Sequence, residues 1–185
     1  MGGPTLSVLS PYRAERVGPI VEAQLIAEGL TRHPGSGSSA FPSSAFPSSA
    51  FPSSAFPSSA SRYSDFWYSA EGRPYGYDLQ APDLETEPDE LRLVEEAAGK
   101  RIRCDILLHI HVSDISGRPA LARIAEQVAR WTEGWVHVDF ADPPPAELLE
   151  RLAGAGCCLP LEYAAYLDAA AMGAWLAHPD FHVLK

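Results

Sequence analysis

The clearest pattern along the chain is an alternation of apolar and polar residues near its middle. At 103–113, Ile106, Leu108 and Ile110 alternate with a second set of positions that includes two histidines. This period of two residues is typical of a strand with one face buried. Similar patterns predict a set of strands at 5–9, 63–69, 75–80, 103–113 and 135–140.

Helical periodicity predicts helices between these strands. At 15–28 and 119–133, apolar residues recur at spacings of three and four. Pro19 favours a start of the first helix near it, because a missing amide donor does no harm in a first turn. A shorter helix precedes the central strand, and Thr86 with Asp89 resembles a capping box at its start.

The order is therefore strand, helix, hairpin, short helix, strand, helix, strand. This layout resembles a ferredoxin-like βαββαβ unit, an antiparallel sheet with helices on one face. We predict an α+β fold in a single domain over 1–185.

A low-complexity insert interrupts this layout. The residues Ser-Ala-Phe-Pro-Ser repeat with a period of five within 36–61. Proline removes a backbone donor in each repeat and disfavours helix at the residue before it. Because the segment has little apolar bulk to offset the entropy of ordering, we predict a disordered insert. The alternative is a linear recognition motif built on its regularly spaced phenylalanines.

The C-terminal extension, 143–185, is too apolar to remain in solvent. We predict a helix at 146–153, an extended segment at 157–163, a helix capped by Asp168, and a terminal strand at 181–184. The extension is expected to pack against the open sheet face or to add an edge strand.

Charge excludes some classes of partner. The 14 Lys and Arg residues face 24 Asp and Glu residues, which gives a formal net charge of −10. Nucleic-acid binding relies on cations that neutralise phosphates, so we expect no nucleic-acid partner. The nearest cationic cluster, Lys100, Arg101 and Arg103, is interpreted as a solvated stretch before a strand. The acidity suits a basic protein partner instead.

The termini and hydropathy predict a cytoplasmic protein. No run is long and apolar enough for a bilayer, and the N-terminus lacks the pattern of a signal peptide. We therefore expect no membrane partner.

Motifs for catalysis and cofactor binding are missing from the sequence. It has no glycine-rich phosphate loop, no His-Glu-x-x-His and no Gly-x-Ser-x-Gly, so we expect no cofactor. The three cysteines, Cys104, Cys157 and Cys158, form no C-x-x-C pair and are interpreted as small buried hydrophobic residues.

One polar cluster could hold a metal ion. His109 and His111 share a strand face, as do His137 and Asp139 on the last strand. The apolar alternation places all four on the face away from the two main helices, where imidazoles and a carboxylate could ligate a divalent metal. The usual ferredoxin-like order, however, puts the first strand between the two pairs.

A second set of residues suggests a protein interface. Aromatic side chains crowd the hairpin, and some of them are expected to face outward, where Tyr and Trp are enriched at interfaces. An acidic stretch follows the hairpin. The candidate partner-binding residues are Tyr63, Trp67, Tyr75, Tyr77, Glu87, Asp89 and Glu90.

Two stretches resemble a known family. The first runs from PDELRLVEEAAGKRI through CDILLHIHVSD to LARIAEQVARWTEGWVHVDF, and the second is the closing AAMGAWLAHPDFHVLK. Together they resemble a family of small uncharacterised bacterial proteins regarded as immunity proteins of polymorphic toxin systems. The resemblance implies a cytoplasmic partner-binding role and no defined active site.

These observations lead to one principal hypothesis and two alternatives. The principal one is a non-enzymatic binding protein that occludes a basic toxin domain. The first alternative is a small metal-dependent enzyme that uses the His/Asp cluster. The second is a module with a small-molecule partner. The oligomeric state and the surface used stay open.

Overall fold

The computed structural model describes residues 3–32, 67–84, 86–112 and 115–184. The described strands are β1 (Thr5–Ser10), β2 (Thr31–Arg32), β3 (Trp67–Tyr68), β4 (Pro74–Gln80), β5 (Cys104–Ile110), β6 (Trp135–Asp139), β7 (Cys158–Pro160) and β8 (Ala164–Leu167). The described helices are α1 (Ala14–Ala27), α2 (Pro88–Ala98), α3 (Arg118–Thr132), α4 (Ala146–Ala155) and α5 (Ala169–Leu176), with a 3₁₀ turn at Ile115–Gly117.

The described strands form one antiparallel sheet in the order β2-β3-β4-β5-β1-β6-β8-β7. The α+β prediction is confirmed. At the centre, Leu6 lies opposite Leu108 and Val8 opposite Ile106, so the apolar sets of β1 and β5 share one face. Because side chains alternate along a strand, a register slip of one residue would expose this whole set.

The first sheet face is covered by four helices. Side chains of α1, α3, α4 and α5 pack with those of the central strands in one apolar cluster. Val17, Ile124, Leu152 and Trp175, one from each helix, are at most 1% exposed. Burial of side chains of this size stabilises a fold by roughly 1.5–3 kcal/mol each, so this face supplies most of the apolar stabilisation.

Among the described elements, α2 is the helix that covers part of the second sheet face. Val94 and Leu91 of α2 pack with Leu9, Trp135 and Tyr166. The expectation that all helices lie on one face is therefore wrong. Leu9 of β1, Trp135 of β6 and Tyr166 of β8 lie on this face at one end of the sheet, and α2 is the element that buries them.

The C-terminal extension does add edge strands, as predicted. β8 pairs with β6, and β7 pairs with β8. The alternative, that the extension covers the open sheet face, is wrong because its two helices join the first face. The predicted extended segment at 157–163 contains β7, whereas β8 lies beyond it and has no counterpart among the predicted strands.

Several local predictions differ from the structure. α1 begins at Ala14, so Pro19 lies inside the helix and not at its start. The capping box is not formed, because the N-cap of α2 is Glu87 and it makes no side-chain cap. The predicted terminal strand at 181–184 is not a strand. The Asp168 cap is confirmed, since its Oδ1 accepts from the Ala171 amide at 2.8 Å. The repeat at 36–61 lies outside the described residues.

Candidate functional site

The half of the second sheet face that α2 leaves uncovered carries most of the predicted polar site. We call this surface the open face and define it by Asp78, His109, His111, His137 and Asp139. Asp78, His111 and Asp139 are exposed, while His109 and His137 are partly buried. The alternation of the strands therefore put the predicted histidines on the side of the sheet away from α1 and α3, as expected.

Two histidines at the end of β5 lie together. The ring centroids of His109 and His111 are 4.5 Å apart in an edge-on arrangement. Gly76 on β4 lies beneath them, and a Cβ placed there would be 2.5 Å from His109 Nε2 and 3.0 Å from His111 Nε2. A glycine at this position thus makes room for both imidazoles.

Both imidazoles are biased toward the neutral form. Burial, with a smaller contribution from His111, lowers the pKa of His109, and Asp78 opposes this shift in part. Burial likewise lowers the pKa of His111. The Asp78 carboxylate lies 3.8 Å from His109 Nδ1. Because loss of hydration disfavours the charged ring, these side chains act as neutral hydrogen-bonding groups at pH 7.

The second polar pair lies across the sheet. His137 Nδ1 is 4.0 Å from Asp139 Oδ2 on β6, and its ring centroid is 4.9 Å from that of Tyr166. The Tyr166 hydroxyl donates to Glu90 Oε2 at 2.9 Å. The first turn of α2 therefore reaches the border of the open face beside His137.

The structure does not bring the two polar pairs into one metal site. β1 lies between β5 and β6, so the pairs are two strand spacings, or about 9–10 Å, apart. Two nitrogens bound to one zinc ion are no more than about 4 Å apart. Within the described ranges, no three His, Cys, Asp or Glu side chains are grouped closely enough to hold a metal ion.

The predicted partner-binding residues separate into two groups. Trp67 and Tyr75 are 2% and 1% exposed in the core of the first face, and Tyr77 donates from there to Glu22. The expectation that Trp67 and Tyr75 face outward is wrong, because both rings belong to the apolar cluster of the first face, where the Tyr75 hydroxyl donates to the Gly117 carbonyl at 3.2 Å. Tyr63 lies outside the described residues.

The acidic group stays at the surface. Glu87 and Asp89 are exposed, and Glu90 is partly exposed where it accepts from Tyr166. Acidic residues in the first turn of a helix are favoured by its dipole. The first turn of α2 therefore brings acidic residues of the predicted interface to the border of the open face, whereas Trp67 and Tyr75 lie in the core.

The cysteines are poor nucleophiles in their surroundings. Burial raises the pKa of Cys104 to about 12 and that of Cys158 to about 11. Cys157 is exposed, so its interpretation as a buried residue is wrong. Partial loss of hydration, followed by the charge of Asp168, still raises its pKa. A raised thiol pKa lowers the thiolate fraction, so none of the three is set up for covalent catalysis.

Sequence reasoning missed a cleft at the opposite end of the sheet. The cleft has a volume of about 720 Å³ and lies between the start of α1, the loop after β4, α2 and the segment before β5. Its charged lining residues are Arg13, Glu15, Asp83, Glu95, Arg101 and Arg103. The two arginines at 101 and 103 were the signal for a cationic site that the sequence offered. Arg13, however, comes from a distant part of the chain.

Comparisons with known protein families, with curated proteins and with solved structures found no match. No helix in the described part of the chain has the length and apolar character to cross a membrane.

Proposed function

We propose that this chain is a binding protein whose open face docks a basic surface of a protein partner. The observation that carries the proposal is the division of the second sheet face. α2 covers one end, and the other end presents polar side chains bordered by Asp78, Asp139 and the acidic first turn of α2. The formal charge of −10 favours a partner of opposite charge.

The proposal extends to the class of partner. A basic toxin domain, neutralised by occlusion, is the partner implied by the family resemblance of the C-terminal half. Charge complementarity of this kind speeds association and excludes acidic competitors. The structure contributes a surface suited to docking, and the toxin assignment depends on the resemblance.

We also propose that the core of the sheet is a ferredoxin-like unit. The central strands β6-β1-β5-β4, connected through α1 and α3, support a ferredoxin-like βαββαβ unit extended at both edges. In such a unit the face without the crossover helices is free for binding, and in this chain α2 occupies one end of it.

The alternative, a metal-dependent enzyme on the same face, has less support. His109 and His111 lie together, but His137 and Asp139 are two strands away. A metal-dependent reaction at His109 and His111 would need a third metal ligand, which the described residues do not supply.

Charge-neutralising variants test the docking proposal. The test variant is Asp78→Asn/Asp139→Asn, and the control is Glu147→Gln/Glu150→Gln, which changes the net charge equally on the exposed side of α4. Full-length wild type and both variants are used as baits in host lysate at about 50 mM and about 300 mM salt. Captured proteins are identified, purified and titrated against each bait.

The expected result is a basic protein that binds wild type and control with similar affinity. It should bind the test variant at least about tenfold more weakly. Its binding to wild type should weaken at about 300 mM salt, because salt screens exposed charge pairs. If the purified partner is toxic, wild type should block its activity and the test variant should not. The proposal is refuted if no purified partner distinguishes the two variants.

A further inference from the structure

Three arginines of this acidic chain line one cleft without ion pairs. The guanidinium groups of Arg13, Arg101 and Arg103 make no hydrogen bond or salt bridge with any residue in the described ranges. All three line the cleft of about 720 Å³ at the end of β4 and β5. Their donors are therefore available to a ligand.

This arrangement contrasts with that of four other arginines. Arg73, Arg92, Arg123 and Arg130 each pair with a carboxylate. Arg16, Arg118 and Arg151 also have no carboxylate partner within the described ranges, so what distinguishes this site is that three such side chains line one cleft. Inside the cleft, three carboxylates also line the wall, yet none is within ion-pair distance of the three arginines.

The arginines are supported by rigid backbone. Arg101 and Arg103 flank Ile102, which is 3% exposed and whose amide donates to Glu95 Oε1 at 2.9 Å. The Arg103 amide donates to the Ser10 carbonyl at 2.9 Å. These bonds tie the segment before β5 to α2 and β1, so an incoming ligand would not have to order it.

A second network fixes the start of α1 against the same segment. Tyr12 donates to Glu133 Oε1 at 3.0 Å, and Lys100 forms a salt bridge with Glu133 Oε2. The guanidinium of Arg16 stacks 3.7 Å from the centroid of the Tyr12 ring. Tyr12, the residue before Arg13, and Lys100, the residue before Arg101, therefore share one acceptor.

The first turn of α1 adds further donors. Ala14 and Glu15 line the cleft, and their N-cap, Arg13, makes no side-chain cap. Early amides of a helix have no intrahelical acceptor and carry the positive end of its dipole. This 14-residue helix thus reinforces the three arginines.

We propose that the cleft lined by Arg13, Arg101 and Arg103 binds the phosphate group of a small phosphate monoester. Guanidinium groups bind phosphate through paired, charge-assisted hydrogen bonds. The volume lies within the range of small-molecule sites.

The other residues that line the cleft indicate which chemical groups the ligand carries besides its phosphate. Leu79, Pro82, Leu91 and Ile102 provide an apolar wall for an apolar or aromatic group. The carboxylates of Glu15, Asp83 and Glu95 line the same cleft and offset part of the arginine charge, which favours a ligand with one anionic group over a polyanion. This site lies at the end of the sheet that α2 covers, away from the open face, and does not depend on the proposed partner.

Phenyl phosphate is a suitable probe, with phenol as the neutral control. Binding to the full-length protein is followed by amide NMR at low ionic strength and neutral pH. The test variant is Arg101→Gln/Arg103→Gln, and the control variant is Arg151→Gln, an exposed arginine on α4 that also has no ion pair within the described ranges. Because these guanidinium groups have no hydrogen bond or ion pair within the described ranges, thermal melts of both variants should match wild type.

We expect saturable binding with a Kd of about 1 mM or tighter. Chemical shift changes should centre on Ala14, Glu15 and 101–103. The test variant should bind at least about tenfold more weakly, since charge-assisted bonds are lost, and the Arg151→Gln control should bind like wild type. Phenol should not shift these amides. The proposal is overturned if phenyl phosphate does not saturate, if its shifts map elsewhere, or if the test variant binds it equally well.

Discussion

The hydroxyl of Tyr166 is the polar contact that holds the start of α2 to the sheet, and its removal tests how the second sheet face is divided. Tyr166 is 3% exposed, and its ring packs with Leu9, Trp135 and Val94. Burial, followed by the bond to Glu90, raises the pKa of its phenol, so the group is protonated and donates at neutral pH. Tyr166→Phe keeps the ring and removes this bond.

The size of the effect follows from the charge of the acceptor. A hydrogen bond to a charged group contributes about 1.5–3 kcal/mol. Glu90 is partly exposed, so water satisfies part of its lost bond in the variant. We therefore expect Tyr166→Phe to lower the free energy of unfolding by about 1–2 kcal/mol. With a urea m-value of roughly 2 kcal/mol/M, the midpoint falls by about 0.5–1 M.

Urea unfolding, together with amide hydrogen exchange, measures the effect globally and locally. Exchange in α2 should accelerate more than in α3, because α2 loses a docking contact. Tyr12→Phe is the matched control: its hydroxyl also donates to a glutamate, at 3.0 Å, but at an exposed site. There we expect a loss of no more than about 0.5 kcal/mol. Equal losses in the two variants would refute the argument that α2 is held by a buried polar contact.

Two further predictions concern pH and glycine. Burial, followed by His111, lowers the pKa of His109, whereas in the unfolded chain the imidazole keeps its ordinary pKa of about 6.5 and binds more protons below that pH. Stability should therefore fall as pH drops from about 7 to about 5. His109→Gln should reduce that slope in thermal melts, and an unchanged slope would contradict the assignment. Gly156→Ala should destabilise by about 1–3 kcal/mol, because its Cβ would lie 2.2 Å from the capping Asp168 Oδ1. Gly154 lies in α4 with open space around it, so Gly154→Ala should instead stabilise by about 0.5–1 kcal/mol. Both variants are measured in urea titrations. If Gly154→Ala also destabilises, the clash with the Asp168 cap is not the cause of the Gly156→Ala effect.

Local pattern was sufficient for much of the candidate site. Alternation along β5 and β6 correctly placed His109, His111, His137 and Asp139 on one side of the sheet. It could not say how far apart they lie, because that distance depends on which strand separates β5 from β6. Alternation also applies to Trp67 and Tyr75, and both rings are in the core. The crowding of aromatic residues in the hairpin is therefore no sign that these two are exposed.

The cleft shows the limit of reasoning along the chain. Arg101 and Arg103 looked like a solvated pair, since nothing near them in sequence forms a cavity. Arg13 joins them because β1 pairs with β5, which brings residues about ninety positions apart to the same end of the sheet. Contacts of this kind arise from strand order and cannot be read from a local period.

The sequence by itself therefore determined the type of most main elements and which residues within a strand or helix share a face, because side-chain periodicity is a property of the backbone. It also determined the acidic charge and the start of α5 at Asp168. The tertiary structure decided that α2 lies on the second face, that β7 and β8 extend the edge, and that the two histidine pairs stay apart. These outcomes depend on long-range pairing and on the packing of whole faces, where many side chains act together.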